Sequence, residues 1–173
     1  MDDGPDHRGG WGIDLLRTGE AFRFAPAGPD DLEALVALRI AAMRDSLQRI
    51  GRFDPLRARQ RLVESYQPEH TRLILVRGEL AGCVALGTGP DGDLWLEHFY
   101  LAPEFQNQGL GGAVLARLLA ETDATSAGIR LSVLIESPAS RIYQRFGFVE
   151  THRGAFDTYY HRPAALRPDP APS

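Results

Sequence analysis

The stretch Leu96-Glu97-His98-Phe99-Tyr100-Leu101-Ala102-Pro103-Glu104-Phe105-Gln106-Asn107-Gln108-Gly109-Leu110-Gly111-Gly112-Ala113-Val114-Leu115 decides the fold. It reads as an apolar strand, a Pro-broken corner, and a glycine-rich turn that opens directly into a helix. Such a turn presents backbone N–H groups at a helix N-terminus, where the macrodipole also favours negative charge. A phosphate or pyrophosphate cradle is the physical expectation. The turn lacks the Gly-Lys-Ser/Thr ending of a P-loop, which disfavours a nucleoside triphosphate. Gly109, Gly111 and Gly112 also lack the Gly-x-Gly-x-x-Gly spacing of a dinucleotide fingerprint.

A second block lies downstream. Leu131-Ser132-Val133-Leu134-Ile135 is an apolar strand, followed by Ser137-Pro138-Ala139-Ser140-Arg141-Ile142-Tyr143-Gln144-Arg145-Phe146-Gly147-Phe148. Together the two blocks resemble the GCN5-related N-acetyltransferases (GNAT). Gln-x-x-Gly-x-Gly, from Gln106 to Gly111, is similar to their acetyl-CoA loop. Pro-Ala-x-x-x-Tyr-x-x-x-Gly-Phe, from Pro138 to Phe148, is similar to the helix that ends their acyl-CoA site. The resemblance runs from Phe22 to His161 and is strongest in the second half.

The resemblance implies a single α/β domain over residues 21–162. Its sheet would be mixed and mostly antiparallel, with helices on both faces and a central strand pair, Asp93–Leu101 and Ile129–Ile135, that splays apart. It also implies the activity: an acetyl group moves from acetyl-CoA to a primary amine of a small molecule or peptide, directly, in a ternary complex. The amides of Gln106, Asn107, Gln108, Gly109, Gly111 and Gly112, in the loop that includes Leu110, would wrap the pyrophosphate. Phe99 and Leu101 would offer backbone groups to the pantetheine arm. Ala139, Tyr143 and the position of Glu136 complete the implied donor site. Many relatives carry Asn where this chain has Glu136, and an ionised Glu accepts hydrogen bonds but donates none.

Acetyl transfer needs a neutral amine and a protonated leaving thiol. Tyr143 is the leading acid: a phenol with an ordinary pKa of about 10 faces a thiolate whose conjugate acid lies near 8.5. Glu97 is the leading base, against the plainer reading of a strand-end Glu paired with an Arg. His98 is the alternative base. Strand alternation puts it on the opposite face from Glu97, so only one of the two should see the acceptor. Arg39, Met43, Phe53 and Tyr159 are candidate acceptor contacts, with Arg44, Ser46, Asp54, Thr158 and Tyr160 beside them. An Arg there could hold a carboxylate; a solvated basic helix face is the competing reading. The acceptor class stays open among antibiotic, polyamine, amino acid and protein N-terminus. A non-catalytic acyl-CoA sensor of the same fold, and a nucleotide-binding α/β module, are the rival functions.

Element order follows from periodicity and breakers. We read a strand at 21–25, helices ending near Arg49 and Tyr66, a hairpin at 73–86, and the central strand. A helix from Gly109, a strand at 129–135, a helix at 138–146 and a last strand at 155–161 complete the order. Residues 1–20 are polar and Gly-rich, and a mobile tail is expected; 163–173 are Pro- and Ala-rich, and disorder is expected.

Composition sets outer bounds. With 173 residues, one domain is the default, and a net charge of −4 gives no reason to expect nucleic acid. All 19 basic residues are Arg, which removes Lys as a base. Cys83 is the single cysteine, so no internal disulfide can form; it lies in an apolar strand, where an inert thiol is expected. It also lies outside both blocks, which argues against an acyl-cysteine intermediate. The His residues show no metal-ligand spacing, and none is expected to bind metal. No membrane-length apolar run and no secretory leader is visible, so no membrane partner and a cytoplasmic location are expected. Exposed strand edges in such folds often pair between subunits, which would give a homodimer.

Overall fold

Apolar runs and turn chemistry lay out the sheet. In the computed structural model, which describes residues 22–165, Arg77 and Gly78 take positive φ angles of 53° and 80°. That tight turn closes a hairpin between β2 (Thr71–Val76) and β3 (Glu79–Thr88). β1 (Arg23–Pro26) joins one side of the hairpin and β4 (Leu94–Leu101) the other, all antiparallel. β5 (Ile129–Leu134), β6 (Val149–Arg153) and β7 (Asp157–Arg162) complete a seven-stranded sheet in the order β1-β2-β3-β4-β5-β7-β6.

Two features of this sheet matter for function. β4 and β5 run parallel and pair only at Leu94↔Ile129 and Trp95↔Arg130. Beyond that point they diverge, as the expected splay requires. β4 also bulges: Cys83 faces Tyr100 and Ala85 faces Glu97, so β4 carries one more residue than β3 across that interval. His98 sits in the bulge at φ 49°, a left-handed conformation that is unusual outside glycine.

Helices cover both faces. α1 (Leu32–Arg49) and α2 (Pro55–Ser65) pack on one side. Leu35, Val36, Leu38, Leu62, Cys83 and Ala102 form that core. Asp54 starts α2 sharply: Oδ1 accepts from the Leu56 and Arg57 amides, and Pro55 supplies a preset φ. α3 (Leu110–Asp123) and α4 (Ser140–Arg145) cover the other face. There Leu115, Leu118, Ile129 and Leu131 are each at most 1% exposed. Truncating any of them to Ala would cost roughly 2–5 kcal/mol.

The expected element order holds, with one correction. β6 is absent from the sequence reading because Val149-Glu150-Thr151-His152-Arg153 shows no apolar alternation. Every residue of this edge strand is exposed. The expected tail at 1–20, and all of 163–173 beyond Ala165, lie outside the described residues. Among the described residues no helix is long and apolar enough to cross a membrane.

Candidate active site

The loop after β4 is built to leave amides free. Gln106 ties its side-chain amide to the Leu101 carbonyl at 2.8 Å, and Gln108 ties its own to the Glu104 carbonyl at 2.7 Å. These braces hold the chain while Asn107 and Gly109 adopt φ angles of 58° and 81°. From Asn107 to Gly112 no backbone N–H finds an acceptor among the described residues; Ala113 is the first that does, on the Gly109 carbonyl. Consecutive unpaired amides at a helix N-terminus form an anion nest. The Gln106 amide is different: it already donates to the Pro103 carbonyl at 3.2 Å.

The glycines test what the nest is for. A Cβ on Gly111 would meet Ile142 and Leu101 side chains at 3.6 Å, and one on Gly112 would meet Ile142 at 3.8 Å. Those are ordinary contacts, so the protein does not itself require glycine there. The bare backbone leaves room for a ligand to come close.

This nest opens into a cavity of about 1120 Å³ that runs through the splay. Single small-molecule sites hold about 300–1,000 Å³, so the space suits two substrates together. Glu97, Phe99 and Leu101 line one wall, and Ala139 and Tyr143 the other. Arg39 and Met43 of α1 close the far end. Gln106, Asn107, Gly109, Gly111 and Gly112 also line it.

Several expected residues fall elsewhere. Leu110 turns its side chain into the core at 2% exposure, so only its amide belongs to the nest. Gln108 is spent on its brace and Glu136 is exposed at φ 63°; neither lines the cavity. Phe53 lies under the Arg44 guanidinium at 4.7 Å, and Tyr159 stacks on His152 at 4.2 Å. Neither reaches the cavity, nor do Thr158 and Tyr160, which are buried. From this end of the sheet Phe156 and Asp157 line it instead. Arg52 spans the gap from α1 by stacking on Phe156 at 3.9 Å.

The bulge overturns the alternation argument for Glu97 and His98. Both line the same cavity, because the extra residue in β4 rotates His98 round to the side of Glu97. The Glu97 carboxylate makes no ion pair or hydrogen bond among the described residues, against the plainer expectation of an Arg partner. His98 is fully engaged. Ser65 Oγ donates to the Arg61 carbonyl at 2.7 Å and so accepts from His98 Nε2 at 2.8 Å. Nδ1 then accepts from the Tyr100 hydroxyl at 3.2 Å, and that hydroxyl accepts from Arg39 Nη1. This order of donors assigns the Nε2–H tautomer of a neutral ring.

Burial, with Arg39 beside it, lowers the His98 pKa to about 4. The folded state therefore holds a neutral ring that the unfolded chain would protonate below about pH 6.5. Stability from this group is complete above pH 6.5 and is lost as the pH falls toward 4. Urea midpoints should fall between pH 7 and 4, and fall less steeply for His98→Gln than for wild type. Equal slopes would remove His98 from the account.

Tyr143 is 5% exposed, edge-on to Phe148 at 5.6 Å, and its hydroxyl makes no hydrogen bond among the described residues. Burial, reinforced by Tyr100, pushes its pKa well above the ordinary phenol value. Burial also raises Tyr100 to about 12, although Arg39 opposes it. Cys83 is 1% exposed, raised to about 12 by burial, and its thiol donates to the His98 carbonyl at 3.2 Å. It does not line the cavity. Among the described residues no His, Cys, Asp or Glu side chains gather as a metal site.

The cavity residues that sequence reasoning missed have simple signatures. Arg57, Arg61 and Ser65 recur at spacing four on α2, one face of a helix. Ser132, Val133 and Leu134 line the cavity as one consecutive run on β5. Tyr100 carried no such signature, because the bulge breaks the period.

Comparison with known proteins agrees with this architecture. The description "Acetyltransferase (GNAT) domain" matches residues 68–150, from the turn before β2 to the start of β6. The ribosomal-protein-S18-alanine N-acetyltransferase of Escherichia coli superposes with a TM-score of 0.64 at 20% identity, over 86% of this chain and 97% of that one. PaiA N-acetyltransferase from Thermoplasma acidophilum, solved in complex with coenzyme A, superposes at 0.67 with 16% identity, over 82% and 98%. An acetyltransferase from Thermus thermophilus gives 0.66 at 22%, over 83% and 97%. No match was found among curated proteins. The sequence match to a GNAT acetyltransferase domain over residues 68–150 and the fold shared with these solved acetyltransferases agree. Acyl transfer from an acyl-CoA is the general chemistry of that family.

Proposed function

We propose that the protein transfers an acetyl group from acetyl-CoA to a primary amine of a small molecule or peptide, by direct attack in a ternary complex. One observation carries this reading. The run of free amides from Asn107 to Gly112 opens into the same cavity that holds Glu97 and Tyr143. A pyrophosphate on the amides would lead the pantetheine arm along the unpaired edge of β4, past Phe99 and Leu101, toward those two side chains. The Thermoplasma relative that binds coenzyme A has the same fold.

The chemistry then follows from protonation states. An ammonium has no lone pair, so a proton must leave before the amine attacks the thioester carbon. Glu97, unpaired and facing the cavity, accepts that proton through water. His98 does not compete, because both its nitrogens are occupied. The tetrahedral intermediate collapses by breaking the C–S bond and releasing a thiolate; its nitrogen gives up a second proton to water as the amide forms, and the thiolate takes one up from water. Tyr143, kept protonated by burial, gives that sulfur a charge-assisted hydrogen bond as the negative charge develops. Buried Cys83, outside the cavity, supports direct transfer over an acyl-enzyme.

Thiol release from acetyl-CoA across an amine panel tests the reading. Glu97→Gln should lower kcat about 100-fold at pH 7. Activity should return as the pH rises and solvent deprotonates the amine. Unchanged turnover in Glu97→Gln would retire Glu97. CoA binding without turnover of any amine would favour a sensor of the same fold.

A further inference from the structure

The acceptor end of the cavity holds a guanidinium that no described residue neutralises. Arg39 is 7% exposed and lines the cavity. Its Nη1 donates to the Tyr100 hydroxyl, a neutral partner. Its Nε is buried without any hydrogen bond, and Nη2 has no partner among the described residues. Burying an unpaired charge is costly, and buried arginines are normally matched with an anion.

The surroundings do not supply that anion. Around the guanidinium stand a neutral His98 ring and the Tyr100 hydroxyl. Further along the cavity come Arg57 and Arg61, on one face of α2, and Arg52. None of the three forms an ion pair among the described residues, whereas Arg59, off that face, pairs with Glu33. Asp54 is committed to capping α2. Asp157 and Glu97 are the remaining cavity acids, and neither pairs with Arg39.

We infer that the acceptor brings its own carboxylate, received by the guanidinium of Arg39 on its cavity side, so the substrate class is amino acids or peptides that carry an acid beside the acetylated amine. A guanidinium is a strong charge-assisted donor to a carboxylate, and Nη2 is left without a partner among the described residues. Arg57 and Arg61 would draw such a substrate in from solvent. A polyamine would instead meet the like charges of Arg39, Arg52, Arg57 and Arg61. The inference rests on the proposed acetyl transfer.

The experiment compares amino acids and short peptides with their carboxamides, and includes spermidine, by thiol release from acetyl-CoA. The acids should show kcat/KM about 10- to 100-fold above their amides, the weight of one charge-assisted pair. Arg39→Gln should close that gap by raising KM for the acids, with kcat and CoA affinity retained. Arg39→Lys, which keeps the charge and loses the fork, should restore part of it. If Arg39→Gln fails to fold, the wild-type acid-to-amide ratio still decides. Arg61→Gln then adds a rise in KM at low salt that vanishes at high salt. Amides acetylated as well as acids, or spermidine preferred, would overturn the inference and leave acetyl transfer standing. CoA binding with no amine acetylated would overturn acetyl transfer itself, and the inference with it.

Discussion

Gly111→Glu is expected to weaken CoA binding by at least about 100-fold in calorimetric titration, with the melting temperature held or slightly raised. The two halves of this result have separate causes. On the protein side, a Cβ at Gly111 meets only Ile142 and Leu101 methyls at 3.6 Å, and the residue does not need positive φ. A carboxylate in the first turn of α3 also favours the macrodipole. On the ligand side, the new carboxylate fills the nest and offers the amides an anion tethered in place. Like charges brought together in this way cost several kcal/mol. Retained affinity would show that the pyrophosphate does not bind at these amides, and the donor site would have to be moved.

Tyr143→Phe should reduce kcat about 100- to 1,000-fold while leaving KM for acetyl-CoA nearly unchanged. That is the usual weight of one donor aimed at developing charge in a water-excluded site. The substitution is clean because the hydroxyl has no partner among the described residues to orphan, and the ring keeps its edge-on contact with Phe148. The thermal midpoint should therefore hold. A pH profile adds a second reading. Because burial raises the Tyr143 pKa, the hydrogen bond it offers persists through pH 10, and wild-type kcat should show no alkaline loss from phenol ionisation in that range. If Tyr143→Phe keeps full kcat, the departing sulfur needs no hydrogen bond from Tyr143 and the residue only packs.

Much of this was legible in the residues, for physical reasons. The Gly loop and the Pro-Ala…Tyr…Gly-Phe helix are backbone devices, and such devices show in a sequence because few residue types can perform them. Helix α2 was readable from Pro55, whose preset φ suits a first helical position. Tertiary choices were hidden. β6 is exposed throughout and shows no apolar face. The β4 bulge comes from register against β3, and nothing in Glu97-His98-Phe99 marks an extra residue. Tyr159 looked inward from its place in the last strand, yet His152 on β6 captures its ring. Arg39 was partly readable. It sits on the α1 face that carries Leu35, Val36 and Leu38, where an arginine must either be buried or bend the pattern.

The two hydrophobic cores on opposite faces of the sheet have a consequence for how this protein could change. The donor cradle is anchored in the α3–α4 core, and the acceptor wall in the α1–α2 core. Substitutions on the two sides share few partners, and effects at separated sites tend to add. On the proposed reading, acceptor preference can therefore drift along α1 and α2 while the nucleotide-holding half stays fixed. The fold behaves as a permanent handle with an exchangeable blade.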